Sequence, residues 1–85
     1  MVVKEGDCVA IFHSVHRVMR AEKILNAQRL DILLIPVPRQ LSADCGMAIR
    51  YLHECHPQVQ QALAEGALPA AEVWLMQAEK YHLLG

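Results

Sequence analysis

The chain lacks a surplus of charge of either sign: eight lysines and arginines stand against nine aspartates and glutamates, for a formal net charge of −1. The electrostatic footprint that draws proteins onto phosphate backbones is therefore missing, and nucleic acid is not expected as a partner. Long apolar runs are missing too. The longest, Ile32-Leu33-Leu34-Ile35, is stopped by Pro36, far short of the roughly 20 residues that cross a bilayer, so no membrane association is expected. There is no glycine-rich phosphate loop, no Ser-His-Asp order and no close pair of carboxylates, which leaves a self-contained kinase or hydrolase without support. Three cysteines make an odd count without the dense spacing of a secreted disulfide scaffold. Glu5 and Gly6 fall where a secretion signal needs its hydrophobic stretch. A cytoplasmic protein with three free thiols is the expectation.

What is present suits a packed core. Of the 85 residues, 54% are hydrophobic and 20% charged, too apolar for a disordered tail. One domain spanning 1–85 is all that this length supports; such a chain buries roughly 60–65% of the surface it exposes when unfolded. There is no internal repeat and no low-complexity segment.

Residues 8–12 read Cys-Val-Ala-Ile-Phe, a β-branched and aromatic run that suits an inner strand. Ser14 is placed to cap a helix over 15–28. At 100° per residue, Val15, Val18, Met19, Ala21 and Leu25 form one stripe of that helix, with Arg17, Arg20, Ile24 and Ala27 mostly opposite. Residues 32–37 form a continuous apolar run that reads as a strand buried on both faces, followed by an ordered loop over 38–44. Residues 46–51 are ambiguous: Met47, Ile49 and Tyr51 alternate as in a strand, while Cys45, Ala48, Ile49 and Leu52 also fit a helical stripe. Pro57 starts a short helix whose apolar face is Val59, Ala62 and Leu63 and which Gly66 stops. Residues 72–76 have strand propensity, and 80–85 carry no assignment.

One constellation stands out: Ile35-Pro36-Val37-Pro38-Arg39, then Ser42, then Asp44-Cys45-Gly46, preceded by Ser14-Val15-His16 and Ala21-Glu22-Lys23-Ile24-Leu25. It resembles the selenium/sulfur carrier-like family of small bacterial proteins, closely from about Phe12 to Ile49 and loosely beyond Arg50. The resemblance implies that 46–51 is a strand. The order then becomes strand, helix, strand, strand, helix, strand, an α+β ferredoxin-like split βαβ sandwich (βαββαβ) with two helices on one face of an antiparallel sheet. It also implies a thiol carrier that holds a sulfane sulfur or selenium atom on the cysteine preceding glycine, a position only Cys45 occupies. Donating and accepting proteins are implied as partners; such a carrier does not turn over alone and needs no cofactor.

The residues carry a chemical argument of their own. A cysteine accepts sulfur as its thiolate, which calls for a pKa below the free value of about 8.5. Arg39 is the cation expected to support the anion, and Gly46 the residue expected to free the adjoining backbone or let a donor approach closely. Pro38 stiffens the loop. Asp44 opposes it, because a neighbouring negative charge raises a thiol pKa. Glu22 falls within the apolar stripe and needs a partner: either it orients Arg39 or His16 beneath the Cys45 loop, or it sits at the helix edge with an exposed base. Cys8 reads as inert core, and Cys55 as an incidental or resolving thiol. The pairs His13/His16 and His53/His56 with Cys55 match no metal spacing, so no metal site is expected. The alternative to a carrier is a non-catalytic interaction or regulatory module, in which the loop from Pro36 to Gly46 is a recognition surface and Cys45 is structural. An edge strand could pair two copies into a homodimer.

Overall fold

The computed structural model describes residues 3–41 and 46–84. Its centre is β1 (Asp7–Ile11), buried at every position, because both faces of this strand are covered. Cys8, Ala10 and Phe12 point toward the helices, and Val9 and Ile11 point into a second, smaller apolar cluster on the other side. Around β1 are α1 (Val15–Ala27), β2 (Ile32–Pro36), β3 (Met47–Leu52), a single 3-10 turn (His53–Cys55), α2 (His56–Glu65), β4 (Glu72–Gln77) and β5 (Lys80–Leu83). The strands form one sheet in the order β2-β3-β1-β4-β5, and every neighbouring pair is antiparallel. The alternation of Met47, Ile49 and Tyr51 thus reports a strand, not a helix.

Three expectations need correction. The sequence reading provides four strands; among the described residues the sheet has five, because residues 80–83 return along β4 through a two-residue turn at Ala78 and Glu79. The strand buried on both faces is β1, not the run 32–37. β2 pairs only with β3, leaving Leu33 45% exposed and Pro36 exposed. Pro36 has no N–H to donate, which suits an edge. The third correction concerns α1: Val15 and Met19 are exposed, and the buried line is Val18, Ala21 and Leu25.

Ser14 caps α1 as expected, its hydroxyl accepting from the Arg17 N–H at 3.3 Å. The face of α1 that meets the sheet packs with Val59, Ala62 and Leu63 of α2 over Ile49, Tyr51, Val73 and Leu75. Trimming Leu25, which is fully buried, to alanine would cost about 2–5 kcal/mol. Gly66 does end α2, but with φ −84°; the left-handed residue is Ala67, φ 53°. A Cβ at 66 would lie 2.7 Å from Cδ1 of Ile24, so an alanine there would need the end of that side chain to turn aside.

Asp7 is the buried charge of the smaller cluster's side. Its carboxylate accepts from the Lys4 N–H at 2.9 Å and from Nη1 of Arg50 at 3.1 Å, which ties the N-terminal segment and β3 to the helix-free face. Among the described residues no helix is long and apolar enough to cross a membrane.

Candidate functional site

Antiparallel pairing brings sequence-distant residues to one end of the sheet. Ile11 at the end of β1 pairs with Ala48 near the start of β3 and with Glu72 at the start of β4, while Pro36 at the end of β2 pairs with Met47. The N-terminus of α1 leaves from the same end, two residues after Phe12. Among the described residues this end therefore gathers Pro36 to Leu41, Gly46, Ser14 to His16, His13 and Glu72.

The loop from β2 to β3 is closed at its base by the Val37 N–H donating to the Gly46 carbonyl at 2.9 Å. A turn follows, in which the Leu41 N–H donates to the Pro38 carbonyl at 2.9 Å. Val37 and Leu41 are half-buried and pack on the helix-free cluster of Val9, Ile11, Ile35, Ala48 and Met76. Pro38 is half-buried between them, and Arg39 is exposed at the tip. Of the expected site residues, Cys45 and Ser42 lie outside the described residues, as does Asp44.

Gly46 requires correction. Its φ is not left-handed, and a Cβ built on it would meet Cγ2 of Val37 at 3.7 Å, an ordinary contact. Neither conformational freedom nor close approach accounts for the glycine here. Its carbonyl closes the loop.

His16 is exposed on the first turn of α1, and Glu22 is half-buried on the same helix. Among the described residues no hydrogen bond or ion pair joins Glu22 to Arg39 or to His16. The geometry therefore does not bring these three together as a set.

What the sequence reading misses is a linked trio at the same end. Nε2 of His13 lies 2.7 Å from Oε2 of Glu72, and Nε1–H of Trp74 donates to Oε1 of Glu72 at 2.8 Å. The two bonds, led by the indole, hold the Glu72 carboxyl below the usual carboxylate range, so it stays ionised. His13 has φ 58°, a left-handed conformation unusual for a side-chain-bearing residue; it turns β1 sharply into the Ser14 cap. Because 59 positions separate His13 from Glu72, only the β1–β4 register could have exposed the pair.

At the opposite end a different cluster forms. The hydroxyl of Tyr51 and Nδ1 of His56 are 2.8 Å apart, with the two rings stacked at 6.0 Å, and His53 lies 6.1 Å from His56. Burial, and then the charge of Cys8, push the Tyr51 hydroxyl above its ordinary pKa. Burial and then His53 push His56 below its own. Cys8 is fully buried among aliphatic side chains, and burial together with Asp7 raises its thiol to about 11. A thiol there is not a nucleophile near neutral pH, in keeping with an inert core residue. Cys55 is half-buried in the 3-10 turn. No group of three or more metal-ligating side chains occurs among the described residues.

A family model described as "Putative Se/S carrier protein-like" matches residues 7–75. The match runs from the first residue of β1 into β4, well past the segment 12–49 that carries the motif resemblance. No curated protein and no solved structure matches.

Proposed function

We propose, since this chain belongs to the Se/S carrier protein-like family, that it carries a sulfane sulfur or selenium atom on Cys45 and passes it between proteins. The observation that supports this most is the family match across both strands that frame the loop, β2 and β3, with Cys45 as the cysteine that precedes glycine there. By contrast, Cys8 is sealed in the core and Cys55 sits at the far end of β3.

Loading is a thiol exchange. The Cys45 thiolate attacks the outer sulfur of a donor protein's persulfide; the new S–S bond forms as the donor's own S–S bond breaks, and the donor leaves as a thiolate that takes up the proton Cys45 gave up. One thiol and one persulfide enter and one of each leaves, so no external oxidant is required. Unloading is the same step run toward an acceptor thiol. Arg39 supports the anionic sulfur, and Pro38, Ser42 and Gly46 share its loop, whereas His16 and Glu22 on α1 stay outside the chemistry. A reducing, cytoplasmic setting belongs to this reading, because it keeps Cys45 a thiol between transfers. Within the fold, the order β2-β3-β1-β4 of the first four strands supports a ferredoxin-like core to which β5 is an addition.

Incubation with a sulfane-sulfur donor and intact-mass measurement tests the proposal. The protein gains one sulfur, removed by a reducing agent, and Cys45→Ser gains none. An equal gain in the variant, or no gain in the parent, overturns the carrier. Arg39→Ala moves the pH at which Cys45 is alkylated upward; an unmoved profile takes Arg39 out of the chemistry.

A second reading draws on one feature. Gln40 and Leu41 of the loop share an open groove with Trp74, Met76 and Tyr81, a surface of the kind on which an interaction module would recognise a partner. Under that reading Cys45→Ser leaves partner binding intact.

A further inference from the structure

The side of α1 turned away from the sheet carries charges and apolar side chains that the fold itself does not use. We propose that this face docks a partner protein through an acidic surface with an apolar centre: carboxylates meet Arg17, Arg20 and Lys23, and apolar side chains cover Val15 and Met19. This goes beyond the carrier reading and holds without any cargo.

Four observations converge. The first is the arrangement. At about 100° per residue, Val15, Met19, Lys23, His16, Arg20 and Arg17 follow one another around the outward side of the helix, and all six are exposed. The helix's one carboxylate, Glu22, falls off this arc and is half-buried. A solvated helix face gains from acids and bases set three or four residues apart; here Arg17, Arg20 and Lys23 stand three apart with like charge, a spacing that repels. The second is the placement along the axis. The first turn holds His16 and Arg17 and no carboxylate, and the last turn holds no base, the reverse of what the helix dipole favours. Helix stability therefore does not account for these bases. Third, the fold does not engage them: among the described residues the ion pairs are His13 with Glu72 and Arg50 with Asp7, and none involves Arg17, Arg20 or Lys23. Fourth, Val15 and Met19 are 62% and 43% exposed and one turn apart, so they form a joint apolar spot beside the bases.

These features select the occupant. An apolar centre with a charged rim is the anatomy of a protein interface, and opposite charge across it steers and orients the partner. The complement is thus a protein surface of apolar side chains rimmed by carboxylates. A lipid surface is a poorer match. The broad apolar stripe with which a helix enters a bilayer interface is here Val18, Ala21 and Leu25, all buried in the core. Nucleic acid is poorer still, because the chain as a whole is −1 and an exposed apolar pair gains nothing against phosphates. The N-terminus of α1 leaves from the end of the sheet that also bears the exposed Arg39, so a partner seated on α1 has the loop between β2 and β3 at the same end.

The test titrates the full chain with a helical peptide that sets two leucines one turn apart among glutamates, at low ionic strength, read by fluorescence anisotropy. The parent binds it and does not bind the same peptide with lysines in place of the glutamates. Arg17→Glu/Arg20→Glu weakens binding at least about tenfold, and Val15→Ser/Met19→Ser weakens it by about the same factor. Gln58→Glu/Gln60→Glu places two carboxylates on exposed positions of α2 and leaves binding within about twofold of the parent. Because Arg17→Glu puts a carboxylate in the first turn of α1, the melting temperature of that double variant holds or rises. A fall in it alongside lost binding signals a damaged fold and overturns the docking face. No binding by the parent, or equal binding by parent and Arg17→Glu/Arg20→Glu, overturns it too, as does tighter binding to phosphatidylglycerol vesicles or duplex DNA than to the acidic peptide. The sulfur-gain assay stands apart: sulfur gain without peptide binding removes this face and keeps the carrier, and peptide binding without sulfur gain does the reverse.

Discussion

The two ends of the sheet each carry a histidine in a short hydrogen bond to another side chain, and they treat it in opposite ways. At the β1–β4 end His13 faces an ionised carboxylate and is exposed. At the far end His56 lies half-buried against the Tyr51 hydroxyl, with a second histidine beside it. Burial, and then the neighbouring His53, disfavour the protonated ring of His56, while His13 meets the Glu72 carboxylate in the open.

The comparison is broken most severely at the packed end. Tyr51 is a large, buried side chain that belongs to the main core, so Tyr51→Ala should cost about 3–5 kcal/mol, the range for core aromatics. A denaturant titration that found less than 1 kcal/mol would mean that the stack is not part of the core. Tyr51→Phe keeps the packing and loses only the hydroxyl bonded to His56, for an expected loss of about 1 kcal/mol.

Acid then separates the ends without mutation. His56 sits below its ordinary value of 6.5 in the folded chain, so the unfolded chain binds its proton more readily. Stability that is complete above pH 6.5 therefore declines as the pH falls below that value. Glu72 is also shifted downward, from 4.5, but as a carboxylate its contribution holds until the pH falls below about 4.5. Melting temperatures between pH 7 and 5 should therefore fall in the parent and fall less in His56→Gln. An unchanged slope in that variant would remove His56 as the source. The smallest effect is Glu72→Gln. This partly exposed pair is expected to change stability by no more than about 1 kcal/mol; a larger loss in a denaturant titration would make the trio a structural tie.

Much of the architecture could be read from local chemistry. Ser14 announced α1, Pro57 announced α2, and the alternation of Met47, Ile49 and Tyr51 carried the right period for β3. What failed has identifiable causes. Hairpins with two-residue turns are recognised by Asn-Gly or Asp-Gly, which accept positive φ. Here Ala78 and Glu79 take φ 55° and 63°, so β5 gave no signal. Val15 and Met19 looked like core because a helical stripe is broader than the line that touches the sheet, and exposure on its margin depends on what lies opposite. The apolar run 32–37 looked doubly buried, although only Pro36 hinted at an edge. At the candidate site, the motif pointed to Cys45 and Arg39, of which only Arg39 lies among the described residues. His13 and Glu72 escaped because their relation exists only through strand pairing, a long-range property that neither residue's neighbours encode.

The turn at Ala78 and Glu79 has a thermodynamic corollary. Two L-residues held at positive φ carry about 1–2 kcal/mol each of unfavourable backbone energy, and the Glu5 carboxylate accepting from the Ala78 N–H at 2.8 Å offsets only part of it. The β4–β5 ladder at the sheet's edge is thus a strained one, where amide protons should exchange early. When it parts, the outer edge of β4, next to Trp74, is left briefly unpaired while the inner four strands stay closed.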